Sequence, residues 1–201
     1  MNKEQILTCA KDLFFKYGLR NVTMDDISHE LGISKKTLYV FFENKKEIVN
    51  NMTKNFFDNY ESEYEVLVKD SENAIQELFL LMNNLKNIFE KIDFRLIQDM
   101  QRYFPEAWAM FELHKKNFMY AKIRDNLKRG IKEELYRSDL KVEIIACLRL
   151  EEVQWSLIKG LVWEKDFSIM EIHNEILKHY LYGITSSNGL KTIKKYIKNE
   201  I

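Results

Sequence analysis

Proline occurs once in 201 residues, at Pro105, and glycine only six times. So sparse a supply of turn formers excludes the closely spaced tight turns of a sandwich, barrel or propeller. Cysteine is limited to Cys9 and Cys147, too few for a disulfide framework or a metal pattern. Each stands among apolar neighbours, so a reduced, buried core thiol is expected at both. No apolar run reaches the ~18 residues that a bilayer span needs. Met1-Asn2-Lys3-Glu4 opens onto no signal-peptide core, so the expectation is a cytoplasmic protein with no membrane partner. An excess of one charge is also missing: 31 basic residues balance 31 acidic ones. That balance argues against a surface coated in positive charge and leaves room for a local basic patch. What is abundant is apolar: 46% hydrophobic residues, with 31% charged, support a real core rather than disorder. The length suits one compact domain, or a small domain with a larger one attached, and the remaining fold class is all-α.

Ile6, Ala10, Leu13, Phe14 and Tyr17 fall on one helical face. Asn2 with Gln5 resembles a reciprocal cap, and Gly18 stands where a left-handed stop would fall. Thr23-Met24-Asp25-Asp26 reads as a capping box with two carboxylates at the positive end of a short helix. Ile27 and Leu31 lie on that helix's inner face, and Gly32 ends it. Ser34 can cap a third helix carrying Leu38, Tyr39 and Phe42, and Asn44 a long fourth one starting at Lys45. Two short helices joined by a tight turn, braced by a longer preceding one, have the spacing of a helix-turn-helix. Helices this short are marginal alone. Ile6, Ala10, Leu13, Phe14, Ile27, Leu31, Ile33, Leu38 and Phe42 would supply the shared core, leaving Lys35, Lys36 and Thr37 pointing outward.

Ala10-Lys11-Asp12-Leu13-Phe14, Tyr17-Gly18, Val22 to Ile27, Leu31 to Tyr39 and Phe42 to Glu47 together closely resemble the DNA-binding domain of TetR-family transcriptional regulators. The resemblance spans Ile6 to Ile48, about a quarter of the chain, with caps, glycines, core positions and the terminal lysine in order. It implies a helix-turn-helix DNA-binding domain over 1–46, with the motif at about 23–42. It also implies a larger helical ligand-binding and dimerisation domain over 47–201.

On that resemblance Thr23, Tyr39 and Lys45 fall on positions used for the DNA backbone. Each also has its own rationale. Thr23 opens a helix whose free amides can meet a phosphate, and a pure capping role is the alternative. Tyr39 offers a phenolic donor, or core packing. Lys45 puts a cation at a helix start, where the macrodipole disfavours it, and a phosphate partner would offset that cost. Ser34, Lys35, Lys36 and Thr37 are the candidates for groove contacts, with lysine able to donate to guanine or to phosphate. Lys36, Val40 and Phe41 depart from the family pattern, which has a small residue at the first position and polar ones at the others. Apolar side chains can touch a thymine methyl but cannot hydrogen-bond a base edge, so an operator rich in A·T pairs is expected. Residues 1–46 hold eight basic and six acidic side chains, and 33–46 hold four lysines against Glu43 alone. The positive charge is thus concentrated beside the expected reading helix.

Beyond Lys45 the pattern predicts helices at about 45–69, 72–91, 93–103, 105–130, 139–165, 168–183 and 189–200. Pro105 sits in a first turn, Ser138-Asp139 and Ser168 act as starts, and Gly130, Gly183 and Gly189 act as stops. Aromatic residues crowd the middle of this region. Most are core, while Tyr60, Gln101, Phe104, Trp108 and Phe118 are candidates to line a cavity for a small apolar or aromatic effector. The resemblance implies such an effector; no cofactor or metal is expected. Leu148, Trp155, Ile158 and Val162 on one helix, with Ile172, Ile176 and Tyr180 on the next, are candidates for a homodimer interface of four helices. The basic terminal helix, with Leu190, Ile193 and Ile197 on one face, is expected to dock on its own domain rather than on a membrane.

His29, His114, His173 and His179 form no zinc signature, and neither a phosphate loop nor a nucleophile elbow occurs. An enzyme would need a site assembled from distant residues, which leaves no local trace. The expectation is therefore a non-enzymatic transcriptional regulator acting as a homodimer on a palindromic operator, a ligand-responsive repressor; activators share the same pattern. Ligand binding would shift the helix at 45–69 and change the spacing of the two reading heads.

Overall fold

The computed structural model describes residues 1–89, 95–158 and 167–197. These form α1 (Lys3–Tyr17), α2 (Met24–Glu30), α3 (Lys35–Phe41), α4 (Lys45–Asp70), α5 (Ala74–Phe89), α6 (Arg95–Tyr103) and α7 (Pro105–His114). A π-helical turn (Lys115–Met119) follows, then α8 (Tyr120–Lys132), α9 (Val142–Ile158), α10 (Ile169–Ile184) and α11 (Ser187–Ile197). Among the described residues the only extended pairing is an isolated bridge between Tyr136 and Thr185, so the fold is all-α as expected. No helix among them is long and apolar enough to cross a membrane.

Helix starts follow local chemistry. Asn2 Oδ1 accepts from the Gln5 amide at 2.9 Å and the Gln5 side chain accepts from the Asn2 amide at 3.0 Å. Ser168 and Glu171 make the same reciprocal pair for α10. Asn44 Oδ1 accepts from the Glu47 amide at 3.0 Å at the start of α4. Pro105 occupies the first position of α7, where its missing donor costs nothing.

Three sequence expectations are corrected. The helix expected over 105–130 contains a π-helical turn at 115–119 and runs on to Lys132, because one inserted residue barely disturbs an apolar stripe. Gly130 and Gly189 lie inside helices rather than ending them. A Cβ on Gly130 would stand 2.1 Å from the Tyr136 ring, and one on Gly189 would stand 2.0 Å from the Leu135 carbonyl oxygen. Both glycines are required by close approach rather than by chain reversal. Gly183 likewise falls within the last turn of α10. The thiols are not core residues: Cys9 is half-buried and Cys147 is exposed on α9. The expected helix segments at 90–91, 93–94, 159–165 and 198–200 lie outside the described residues.

The chain divides into two compact units, residues 1–60 with 88–113, and residues 61–87 with 114–201. In the first, Ile6, Ala10 and Phe14 of α1, Ile27 of α2, Leu38 of α3 and Phe42 are buried together, with Leu13, Leu31 and Ile33 half-buried against them. This is the core expected from the apolar spacing. Leu96, Met100, Phe104, Ala107 and Phe111 from α6 and α7 complete it.

In the second unit Ile75, Leu127, Tyr136, Leu181, Ile184 and Ile193 are buried. Ile193 and Tyr196 bring α11 onto its own domain, as expected. Arg129 organises the polar part of this unit. Its guanidinium donates to the Ser71 hydroxyl at 2.6 Å, the Ser71 carbonyl at 2.8 Å, Glu133 at 2.7 Å and Glu77 at 3.1 Å. Glu77 is buried and also accepts from the Tyr64 hydroxyl at 3.1 Å. Burial pushes its carboxyl above the usual carboxylate range despite these donors.

Candidate nucleic-acid interface

The paired helices α2 and α3 are set by their caps. Thr23 Oγ1 accepts from the Asp26 amide at 3.2 Å, while Asp26 Oδ2 accepts from the Thr23 amide at 2.7 Å and from its hydroxyl at 2.6 Å. These hydrogen bonds hold the Asp26 carboxyl below its ordinary range. Thr23 is therefore a cap, and it stands exposed at a helix start. Gly32 takes φ +63° between the helices, a conformation that favours glycine. Ser34 then accepts from the Thr37 amide at 3.1 Å, and the two hydroxyls lie 2.8 Å apart.

At 100° per residue, the seven residues of α3 sort into two arcs. Thr37, Phe41 and Leu38 form the inner one: Leu38 is fully buried, and Phe41 packs half-buried against the core. Phe41 is thus corrected from a groove contact to a core neighbour. Lys35, Tyr39, Lys36 and Val40 form the outer arc, and all four are exposed. The core-packing alternative for Tyr39 is removed by its 49% exposure, and Val40 is 77% exposed. Lys35 Nζ pairs with Asp25 of α2 at 2.5 Å, which raises its pKa.

Lys45, at the start of α4, is held from several sides. Its ammonium donates to the Arg20 carbonyl at 3.3 Å and lies 5.8 Å from the Phe14 ring centroid and 5.7 Å from that of Phe104. Burial lowers its pKa, partly offset by Asp99 and Asp26. Two N–H donors remain on the ammonium. The loop it tethers is also fixed from α6, where Asp99 Oδ2 accepts the Arg20 amide at 2.9 Å. Asn50 of α4 donates to Glu106 of α7 within the same unit. Nothing in the sequence pointed to Asp99, because it acts across 79 positions.

The effector candidates separate. Phe104 is buried and Trp108 half-buried in the first unit, with Trp108 4.9 Å from Phe111. Tyr60 stacks on Phe56 at 6.4 Å. Gln101 is exposed on α6, so it lines no buried cavity. Phe118 belongs to the second unit, on the π-helical turn, stacked on His114 at 5.0 Å and edge-on to Tyr64 at 5.4 Å. His114 is buried with Nδ1 2.9 Å from Glu61, and burial lowers its pKa.

Of the interface candidates, Leu148, Trp155, Ile172 and Ile176 line an open groove of about 1050 Å³ between α9 and α10, with Phe167. Tyr180 does not join them: it is buried beneath Arg149, whose guanidinium lies 4.7 Å from its ring. Val162 and the side chain of Ile158 lie outside the described residues.

A capped helix-turn-helix with a cationic and aromatic outer arc on its second helix defines a DNA-binding protein. Residues 6–52 match the model of the bacterial regulatory proteins of the tetR family. The transcriptional repressor KstR2 of Mycolicibacterium smegmatis is 24% identical over 197 residues, covering 94% of this chain and 93% of that one. A putative transcriptional regulator from Saccharomonospora viridis in complex with choline superposes with a TM-score of 0.76 at 18% identity, over 92% and 97% of the two chains. FadR from Bacillus subtilis in complex with stearoyl-CoA superposes with a TM-score of 0.67 at 17% identity, over 90% and 98%. Residues 6–52 thus carry a helix-turn-helix of the tetR type, and the chain as a whole is similar to DNA-binding transcriptional repressors.

Proposed function

We propose that this regulator is a homodimeric, effector-responsive repressor. Residues 1–46 act as the reading head and 47–201 as the body that binds effector and a second subunit. Each head lays α3 in the major groove of one half-site of a palindromic operator. Thr23, Tyr39 and Lys45 meet the DNA backbone, and Ser34, Lys35, Lys36 and Val40 face the groove. The observation that carries this reading is the outer arc of α3, where three of four side chains can donate to DNA and none is needed by the core.

The groove bearing Leu148, Trp155, Phe167, Ile172 and Ile176 supports the dimer. An apolar strip of this kind on adjacent helices is covered most economically by its own copy across a two-fold axis. An effector of small-molecule size is supported by the aromatic groups around Phe104 and Trp108, and around Phe118 with its π-helical turn, a feature frequent at functional sites. Choline and stearoyl-CoA in the two similar structures illustrate the range. Helix α4 starts at Lys45 beside the reading head and continues to Asp70, so an effector that favours another setting of α4 weakens operator binding by population shift.

The test is selection of binding sites from a random duplex pool, followed by titration with and without candidate effectors. Enrichment of a two-fold symmetric sequence, released by a ligand that binds the protein, is the expected result. A tightly bound ligand that leaves operator affinity unchanged overturns the mechanism.

A further inference from the structure

Within the reading head, Val40 is unusual among the residues that could meet DNA. It is 77% exposed, the highest value among the exposed large apolar side chains of the described residues. Its position on α3 explains why no packing role accounts for it. Leu38 and Phe41 of the inner arc already fill the core contact, and Val40 stands at the far edge of the outer arc, one turn after Lys36. At the opposite edge Lys35 is drawn to Asp25 of α2. The part of the arc least committed to the protein is therefore Lys36 with Val40.

The major-groove edges of the bases offer hydrogen-bonding groups and one apolar group, the thymine 5-methyl. A valine side chain has no donor or acceptor, and docking it against a polar base edge leaves that edge desolvated and unpaired. Burial against a methyl group is favourable on both sides. We infer that Val40 is a specificity-determining residue that reads the 5-methyl group of one thymine in each half-site. Phe41, turned into the core, does not share in the readout. Lys36 and Val40 are separated by about 6 Å along the helix axis. A purine acceptor contacted by Lys36 therefore lies within about two base steps of that thymine.

The inference rests on the DNA-reading function proposed above, and the experiment separates the two. The full-length chain is used to select a site from a random duplex pool. Each thymine of one half-site is then replaced singly by deoxyuridine, which removes only the methyl group. Affinity is measured by fluorescence anisotropy at several salt concentrations. At one thymine per half-site, loss of the methyl weakens binding about fourfold, the partition effect of one buried methyl, with no change in salt slope. Val40→Ala binds the unmodified site about fourfold more weakly per half-site and is indifferent to the same replacement; Val40→Ile remains sensitive. Circular dichroism melts of both variants match the parent, since the side chain is exposed. If a site is selected but no deoxyuridine replacement matters, or if the loss is equal in Val40→Ala, this inference falls and the regulator reading stands. If no sequence is enriched, both fall.

Discussion

The phosphate contact proposed for Lys45 would use a side chain that the fold already holds in place. Its ammonium is tethered to the Arg20 carbonyl between two aromatic rings, and burial lowers its pKa. That restraint removes most of the freedom a surface lysine would lose on gripping a phosphate. Lys45→Met, which keeps the aliphatic stem, is expected to weaken binding to all duplexes and to flatten the salt dependence by about one charge per subunit. Tyr39→Phe is expected to weaken binding uniformly and leave the slope unchanged. Anisotropy titrations at several salt concentrations check both, and unaltered affinity in both variants would remove the proposed backbone contacts. Thr23 carries a linked expectation. Replacing it with alanine loses an N-cap worth about 1 kcal/mol. The Asp26 carboxyl, held below its ordinary range by Thr23, contributes stability that is present above the unfolded pKa near about 4 and lost as pH falls through the folded value. The gap between Thr23→Ala and the parent in denaturant midpoint therefore narrows below about pH 4.

Helices α5 and α8 are locked by a single guanidinium. Arg129 joins the end of α4 at Ser71, Glu77 of α5 and Glu133, while Glu133 Oε2 accepts the Ala74 amide at 2.7 Å. Arg129→Ala leaves Glu77 buried with only Tyr64 and Asn126 as polar company. The expected cost is about 2 kcal/mol, below the range for a fully enclosed pair because the guanidinium still reaches solvent. The Glu77 pKa, already raised by burial, rises further once the cation is gone. Its protonated form is then favoured on folding, so the destabilisation shrinks as pH falls towards the unfolded carboxylate range. Urea melts at neutral and mildly acidic pH measure this, and a pH-independent loss would count against it. At the same scale, Asp99 ties α6 to the loop that follows α1, at the Arg20 amide. Asp99→Asn is expected to speed hydrogen exchange at the Arg20 amide while leaving exchange in α10 unchanged.

For the assembled protein, the exposed strip on α9 and α10 makes the strongest demand. Leu148, 54% exposed, and Trp155, 45% exposed, would be costly to leave bare in a reading head's supporting body. Leu148→Asp is expected to convert a dimer into a monomer at micromolar concentration, with loss of operator binding and an unchanged melting profile for the helical signal at high protein dilution. Native mass spectrometry or sedimentation checks it; a parent chain that is monomeric at that concentration overturns the interface.

The helix starts at Asn2, Thr23, Ser34 and Ser168, and the core positions of the first three helices, were legible in the sequence because each rests on interactions within four residues or on a periodicity of one helical face. The resemblance over Ile6 to Ile48 had the same local character. Asp99 on the Arg20 amide, the Arg129 network and the inward turn of Tyr180 were not legible, since each depends on partners tens of positions away. Gly130 and Gly189 illustrate the boundary most clearly. Composition marks both as breakers, yet their lack of a side chain serves Tyr136 and the Leu135 carbonyl. Local backbone preference is written residue by residue, whereas the space a side chain occupies is set by whatever the rest of the chain brings against it.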